Sequence, residues 1–181
     1  MQILPLALPE VKLIRPRVFG DERGFFMEAW NRRRFAEAGL PDDFVQLNHS
    51  SSARHTLRGM HLQFRQPQGK LVRVLAGRIF DVAVDARPAS PEFGRWVGQT
   101  LDAADHEWLW IPPGFGHGFC VLSEQAEFEY LCTAYYDPNY EGSFLWNDPA
   151  VAIHWPITAP LLSPKDSQAP SLASLIPRLR A

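Results

Sequence analysis

The sequence predicts a mainly β protein, a jelly-roll barrel with a few short helices. Sixteen prolines and twelve glycines interrupt the chain along its whole length. The apolar runs between them, such as residues 71–75, 79–85 and 108–111, have the length of strands rather than helices. With 181 residues and 46% hydrophobic content, the chain suits one domain over residues 1–181. A barrel of this kind encloses a cavity in which a small ligand binds.

Composition argues against several other classes of protein. The net charge of −2 gives no support for a nucleic-acid partner. The chain start lacks the pattern of a signal peptide, and no apolar run reaches the ~18 residues of a membrane helix. We therefore expect a cytoplasmic protein without membrane contact. Cys120 and Cys132 fit neither a redox pair nor a zinc site, and we expect both to be buried and free.

The first third of the chain contains the predicted irregular elements. Residues 2–16 are extended but broken by prolines, which predicts an edge strand or a strand exchanged with a partner subunit. Asn31 is placed to cap a short helix over residues 32–38. A strand is expected over residues 44–50, followed by a loop at residues 51–56.

The remaining elements are predicted strands and an irregular tail. Residues 71–75 and 79–85 flank a glycine turn and predict a β-hairpin. Further strands are expected at residues 96–101, 108–111, 119–122 and 126–136. The tail from Asp137 onward is rich in turn-forming residues, and we expect it to pack over a sheet.

Two stretches resemble the motifs of the cupin superfamily, although two positions differ. Residues 112–117 read PPGFGH and match PxGxxH, while the earlier motif places His61, Gln63 and Lys70 at its ligand positions. In metal-binding cupins the corresponding residues are two histidines and a glutamate, with a later histidine at the position of His117. A lysine ammonium in place of the carboxylate disfavours a cation. We therefore expect no metal and no cofactor, and a Lys70 that stabilises negative charge on a substrate oxygen.

Beyond the barrel motifs, the chain resembles the dTDP-4-dehydrorhamnose 3,5-epimerase family over nearly its whole length. The matching stretches include DERGFFMEAW, FVQLNHS, LRGMHLQ, KLVRVLAGRIFDVAVDAR, IPPGFGHGFCVLS, AEFEYLCTAYY and LSPKDSQAP. The resemblance implies conversion of dTDP-4-keto-6-deoxy-D-glucose to dTDP-4-keto-L-rhamnose. C3 and C5 are both α to the C4 ketone, so each is inverted by proton removal, an enolate, and reprotonation from the opposite face.

The resemblance also implies roles for individual residues. His61 is the general base, since imidazole exchanges protons near neutral pH. Asp166 orients His61, Lys70 faces the C4 oxygen, and Tyr130 is the acid on the opposite face. His117 is a second histidine of the pocket. Taken alone, each of these residues is more often structural than functional; the ordered set is what favours function.

For the nucleotide, the resemblance implies that Phe26 stacks on thymine and that Glu28 accepts from the ring N–H. Arg23 and Arg58 are expected to bind the pyrophosphate, because a guanidinium matches phosphate geometry. Some of these contacts are expected from the partner subunit of a homodimer. The full substrate-binding set is Arg23, Phe26, Glu28, Gln46, Asn48, Arg58, His117, Tyr136 and Lys165.

Three alternatives remain open from the sequence. The same motifs occur in enzymes that invert C3 or C5 alone in antibiotic-sugar pathways. A metal-dependent cupin is a second alternative, against which Gln63 and Lys70 argue. A non-enzymatic cupin that binds a nucleotide sugar is the third.

Overall fold

The structure, a computed structural model, describes residues 1–180 and confirms the mainly β, jelly-roll prediction. Two antiparallel sheets pack face to face, and two further strands form a separate ribbon. The strands are β1 (Gln2–Pro5), β2 (Lys12–Arg15), β3 (Val18–Asp21), β4 (Gly24–Met27), β5 (Gln46–Ala53), β6 (Leu57–Gln63), β7 (Lys70–Ala76), β8 (Arg78–Asp85), β9 (Trp96–Asp102), β10 (Trp108–Ile111), β11 (Phe115–Val121), β12 (Gln125–Cys132) and β13 (Glu141–Ser143).

One sheet has six strands in the order β1-β2-β10-β7-β12-β5, and the other has five in the order β13-β6-β11-β8-β9. Apolar side chains from both sheets form the main core, with Val72 and Phe128 on one side and Ile79, Phe119 and Val121 on the other. All five are almost fully buried. Along each strand, inward-facing side chains alternate with outward-facing ones. The inward-facing side chains therefore both fill this core and line the cavity described below.

The predicted hairpin over residues 71–85 is wrong, because its two strands lie in different sheets. β7 pairs with β10 and β12, whereas β8 pairs with β11 and β9. Gly77 has φ +78, a conformation that favours glycine, and takes the chain from one sheet to the other. A turn of this length can join two strands of one hairpin or two strands of different sheets, so the sequence does not decide between them.

The predicted loop at residues 51–56 is also partly wrong. β5 continues to Ala53, where it pairs with Gln125 at the start of β12. The serine-rich sequence of this stretch favours a loop, but the ladder to β12 satisfies its backbone hydrogen bonds and keeps it extended. The extension places Ser52 where its Oγ accepts from Arg58, a residue of the cavity lining.

The short helices are α1 (Arg32–Glu37), α2 (Pro164–Ser167) and α3 (Ile176–Leu179). The first confirms the prediction for this region, since the side chain of Asn31 accepts from the Arg34 N–H at 3.2 Å. Phe35 of α1 is buried with Ile14 and Trp108 on the outer side of the six-stranded sheet. None of the helices within residues 1–180 has the length and apolar character needed to cross a membrane.

Both ends of the chain pack against the barrel. β1 forms the outer edge of the six-stranded sheet and pairs with β2. Exchange of this segment with a partner subunit, and the organisation of residues 1–181 as one domain, stay predictions; Ala181 lies outside the described residues. The tail covers the outer face of the five-stranded sheet, where Phe144 and Leu172 pack with Val82 and Val84. This packing confirms the prediction for the tail.

Candidate active site

A cavity of about 350 Å³ lies between the two sheets and has the size of a small-ligand site. β6 and β11 supply one wall, while β5, β7 and β12 supply the other. The lining residues are Asn48, His49, Ser50, Arg58, His61, Lys70, His117, Phe119, Phe128 and Tyr130. The structure therefore brings six of the predicted site residues together around one space.

His61 and Asp166 form a hydrogen-bonded pair on one wall. The distance from His61 Nε2 to Asp166 Oδ1 is 2.6 Å, and Asp166 is buried while His61 is about one-third exposed. Burial opposes ionisation of Asp166, but hydrogen bonds from His61 and the Gly59 N–H outweigh it and hold the pKa below its usual value. Asp166 is thus a carboxylate at neutral pH. Because a carboxylate only accepts, Nε2 of His61 carries the proton and Nδ1 has the free lone pair.

Helix α2 fixes the position of this carboxylate. Ser163 caps the helix, and its Oγ accepts from the Asp166 N–H at 3.1 Å. Pro164 at the first helical position favours the same local conformation. The sequence Ser-Pro-Lys-Asp therefore builds a rigid turn that aims Asp166 at the strand that carries His61.

Lys70 carries a buried amine into the cavity from the first residue of β7. Its side chain is 9% exposed, and burial lowers its pKa, with Cys132, Asp81 and Glu141 opposing. Within residues 1–180, no carboxylate forms an ion pair with this amine, which lies 5.8 Å from the centre of the Tyr130 ring. The same residues contain no cluster of three or more His, Cys, Asp or Glu with the arrangement of a metal site. Lys70 is therefore available to a substrate oxygen.

Tyr130 lies on the opposite wall from His61, since β12 and β6 belong to different sheets. Its ring packs 5.6 Å from that of Phe128, which is consistent with the predicted inward face of the strand. Burial is the main reason why the pKa of Tyr130 is raised, while the charge of Arg58 opposes this effect. The phenol therefore keeps its proton at neutral pH, as a proton donor must.

His117 and Asp81 form a second pair in the floor of the cavity. His117 Nε2 lies 2.9 Å from Asp81 Oδ2, and His117 faces His61 in the register of β11 with β6. Burial lowers the pKa of His117, and Asp81 opposes this shift. Asp81 was not among the predicted site residues. The signal that could have found it is a carboxylate in the middle of an otherwise apolar run, residues 79–84.

The polar residues at the cavity edge are linked by hydrogen bonds. Arg58 Nε donates to Ser52 Oγ at 3.0 Å, and Gln46 Nε2 donates to Asn48 Oδ1 at 2.9 Å. Tyr136 Oη donates to Glu141 Oε2 at 3.2 Å, and Lys165 forms an ion pair with the same Glu141. Glu141 was also missed, because nothing in the sequence distinguishes it from other charged residues of the tail.

Arg23, Phe26 and Glu28 do not reach this cavity within one chain. They lie on or beside the β3–β4 ribbon, where the Arg23 side chain is 85% exposed and Phe26 is 71% exposed. Arg23 pairs with Asp21 at 2.5 Å, and Glu28 pairs with Arg34 at 3.0 Å. The ribbon lies against the outer side of the six-stranded sheet, where Phe25 packs 4.1 Å from the ring of His106, and none of its side chains lines the cavity that contains Arg58.

The fold and site define a class of protein: a jelly-roll barrel whose internal cavity has a carboxylate-bound histidine and a protonated tyrosine on opposite walls. The sequence matches the family model of dTDP-4-dehydrorhamnose 3,5-epimerase over residues 5–174. The chain belongs to this family, a family of isomerases, which confirms the resemblance.

Individual relatives agree with this assignment. The dTDP-4-dehydrorhamnose 3,5-epimerase of Pseudomonas aeruginosa is 56% identical over 175 residues, covering 96% of this chain and 97% of the relative. The crystal structure of the 3,5-epimerase from Legionella pneumophila in complex with dTDP-4-keto-L-rhamnose superposes with a TM-score of 0.95. It is 49% identical and covers 98% of this chain and 96% of its own. A dTDP-4-dehydrorhamnose 3-epimerase of Streptomyces niveus is 41% identical over 96% of this chain and 84% of its own length.

Proposed function

We propose that this chain converts dTDP-4-keto-6-deoxy-D-glucose to dTDP-4-keto-L-rhamnose by inverting C3 and C5. The observation that carries this proposal is the His61–Asp166 pair at 2.6 Å, which faces Tyr130 across a cavity that also holds the buried Lys70. Membership of the epimerase family and the product-like ligand in the Legionella relative support it.

The residues account for each proton transfer. Nδ1 of His61 takes the proton from the carbon next to the C4 ketone, and the electron pair moves to the C4 oxygen as an enolate. Asp166 stabilises the imidazolium that forms, and Lys70 stabilises the enolate oxygen. Tyr130 then gives its proton to the opposite face of the carbon. Solvent exchange restores both groups before the second carbon reacts.

The nucleotide is bound at the cavity edge, with Arg58 on the pyrophosphate. Arg23, Phe26 and Glu28 act from the ribbon of a second subunit, which makes the working unit a homodimer. The exposure of Phe26 and Arg23, and their absence from the lining of the cavity in their own chain, support this arrangement. Gln46, Asn48, Tyr136 and Lys165 complete the binding set. The two free, buried cysteines support a location in the reducing cytoplasm.

The test is turnover of dTDP-4-keto-6-deoxy-D-glucose by the wild-type protein in D₂O, followed by NMR of the product. Deuterium at both C3 and C5, with the L-rhamno configuration, is expected. Deuterium at only one carbon contradicts the double inversion and supports the single-epimerase activity named for the Streptomyces niveus relative. Binding without any exchange supports a non-enzymatic role.

A further inference from the structure

Residues 134–137, here called the rim segment, follow β12 and lie outside every strand. Glutamine side chains hold all four of these residues by their backbone. Gln68 Nε2 donates to the Ala134 carbonyl at 2.9 Å, and Gln63 Nε2 donates to that of Tyr135 at 3.2 Å. The next two N–H groups donate to glutamine oxygens, Tyr136 to Gln46 Oε1 at 2.8 Å and Asp137 to Gln63 Oε1 at 2.9 Å.

Gln63 is the centre of this arrangement. It is 5% exposed, and it is the glutamine that binds the rim segment through both ends of its amide. Its amide nitrogen also donates to the carbonyl of Gln66 at 2.8 Å, which ties the preceding loop to the same point. Both donors and the acceptor are therefore used on backbone groups, and an apolar replacement would leave those groups without partners.

The rim segment is connected to the wall that carries His61. Gln63 lies two residues after His61 on β6, and Glu141 and Ser143 of β13 pair with Gln63 and His61. Tyr136 of the rim segment donates its hydroxyl to this Glu141. Its backbone, through Gln46, is linked to Asn48 in the cavity wall. The position of Tyr136 relative to the cavity therefore depends on the glutamine contacts.

We propose that Gln63 is a positioning residue that holds the rim segment, and with it Tyr136, in the conformation that binds the nucleotide part of the substrate. In a metal-binding cupin this position supplies a ligand to the ion. Here its amide is directed to backbone groups and serves substrate binding instead. The proposal rests on the proposed function for the identity of the ligand. The four hydrogen bonds from Gln46, Gln63 and Gln68 to the rim segment, here called the clamp, are defined without substrate.

The experiment compares Gln63→Met with Gln99→Met, a control that removes a glutamine bonded at 3.0 Å to a backbone carbonyl elsewhere, in β9. Amide hydrogen exchange is measured by mass spectrometry on the full chain, and thymidine diphosphate affinity by calorimetry. In Gln63→Met we expect exchange of the peptide covering residues 134–140 to rise about tenfold, with the strand peptides unchanged. The Kd is expected to rise about tenfold, and turnover at saturating substrate to stay within about threefold of wild type.

Several outcomes overturn the proposal. Exchange that rises equally in the strand peptides shows a general loss of stability, and an unchanged Kd with a loosened rim segment shows that the clamp does not serve binding. If Gln63→Met does not fold, Gln68→Met, which removes one contact, is expected to loosen the same peptide and to raise the Kd by a smaller factor. Wild-type protein that does not bind thymidine diphosphate overturns the proposed function and the binding role of Gln63, while amide exchange still decides whether the clamp exists.

Discussion

Lys70 places a buried amine in the barrel at a position where a metal-binding cupin has a carboxylate. Burial costs free energy for any charged amine, and the lowered pKa of Lys70 reflects this cost. A residue kept at such a cost, in one cavity with His61 and Tyr130, is typical of a site where negative charge develops on a ligand. This is the physical basis for assigning Lys70 to the enolate oxygen.

Replacement of Lys70 by Met separates this role from a structural one. We expect kcat to fall about 10²–10³-fold, as when one donor to an oxyanion is removed. The melting temperature is expected to stay equal or rise, because methionine fills similar space without a buried charge. Steady-state kinetics and thermal unfolding measure the two effects, with Lys12→Met as the control. Activity within threefold of wild type would contradict the assignment.

The sequence predicted the residues of the proton-transfer set better than their partners. His61, Lys70, Tyr130 and His117 line one cavity, as the resemblance implied. Asp81 was missed, because its contact with His117 is made across two strands and depends on the sheet register. Side chains matched to a family motif can be predicted from sequence, whereas contacts set by register require the structure.

At the scale of elements, the pairing of strands was the least predictable property. The run from Lys70 to Asp85 has strand lengths and a glycine turn, both of which were predicted correctly, but the strands join different sheets. Both partners of β7, which are β10 and β12, begin more than thirty residues after it ends, and β8 pairs with β9 and β11. The local pattern contains no information on these distant partners.

An ionic network holds the end of β8, and from it we predict how the stability of the fold depends on pH. Asp85 is fully buried and accepts from Arg87 at 2.7 Å and Ser90 at 2.6 Å, and Arg87 also binds Glu10. Burial alone would raise the pKa of Asp85, but these hydrogen bonds outweigh it and hold the pKa below 3.8. The carboxylate therefore stabilises the fold at pH values above the pKa that Asp85 has in the unfolded chain. This stabilisation is lost as the pH falls through the pKa that Asp85 has in the folded chain.

We expect Asp85→Asn to lower the free energy of unfolding by about 1–3 kcal/mol at pH 7, since charged hydrogen bonds are lost. The difference in the free energy of unfolding between the variant and the wild type is expected to shrink as the pH falls below 3.8. Urea unfolding at several pH values measures it, and Asp105→Asn, at an exposed carboxylate, is the control. A difference that is constant with pH would show that Asp85 does not stabilise the fold through its charge.

At the scale of the whole molecule, the ribbon of β3 and β4 lies against the outer side of the six-stranded sheet, so its predicted nucleotide contacts do not line the cavity between the sheets. Phe19, Phe25 and Phe26 are each at least half exposed on it. Aromatic side chains exposed together are typical of a surface that is covered in an assembly. The sequence could predict the residue types but not this separation, because the separation depends on the path of the ribbon.

Subunit complementation tests the proposed sharing of the site. His61→Ala and Phe26→Ala are each expected to have low activity alone. In mixed dimers, the intact ribbon of one subunit completes the intact cavity of the other. After subunits are exchanged at equal concentration, we expect about one quarter of wild-type activity. Mixtures no more active than the separate variants would indicate that each chain completes its own site.

The proposed mechanism requires His61 and Tyr130 to transfer protons on opposite faces of one bound sugar. Solvent exchange of dTDP-4-keto-6-deoxy-D-glucose in D₂O, measured by NMR alongside thymidine diphosphate affinity, tests it most directly. His61→Ala and Tyr130→Phe are compared with His154→Ala and Tyr140→Phe, which change the same residue types outside the cavity. We predict that His61→Ala loses exchange, that Tyr130→Phe loses inversion at the exchanging carbons, and that both keep wild-type affinity, while the controls keep exchange, inversion and affinity. Exchange at the wild-type rate in His61→Ala, or inversion at the wild-type rate in Tyr130→Phe, would contradict these roles.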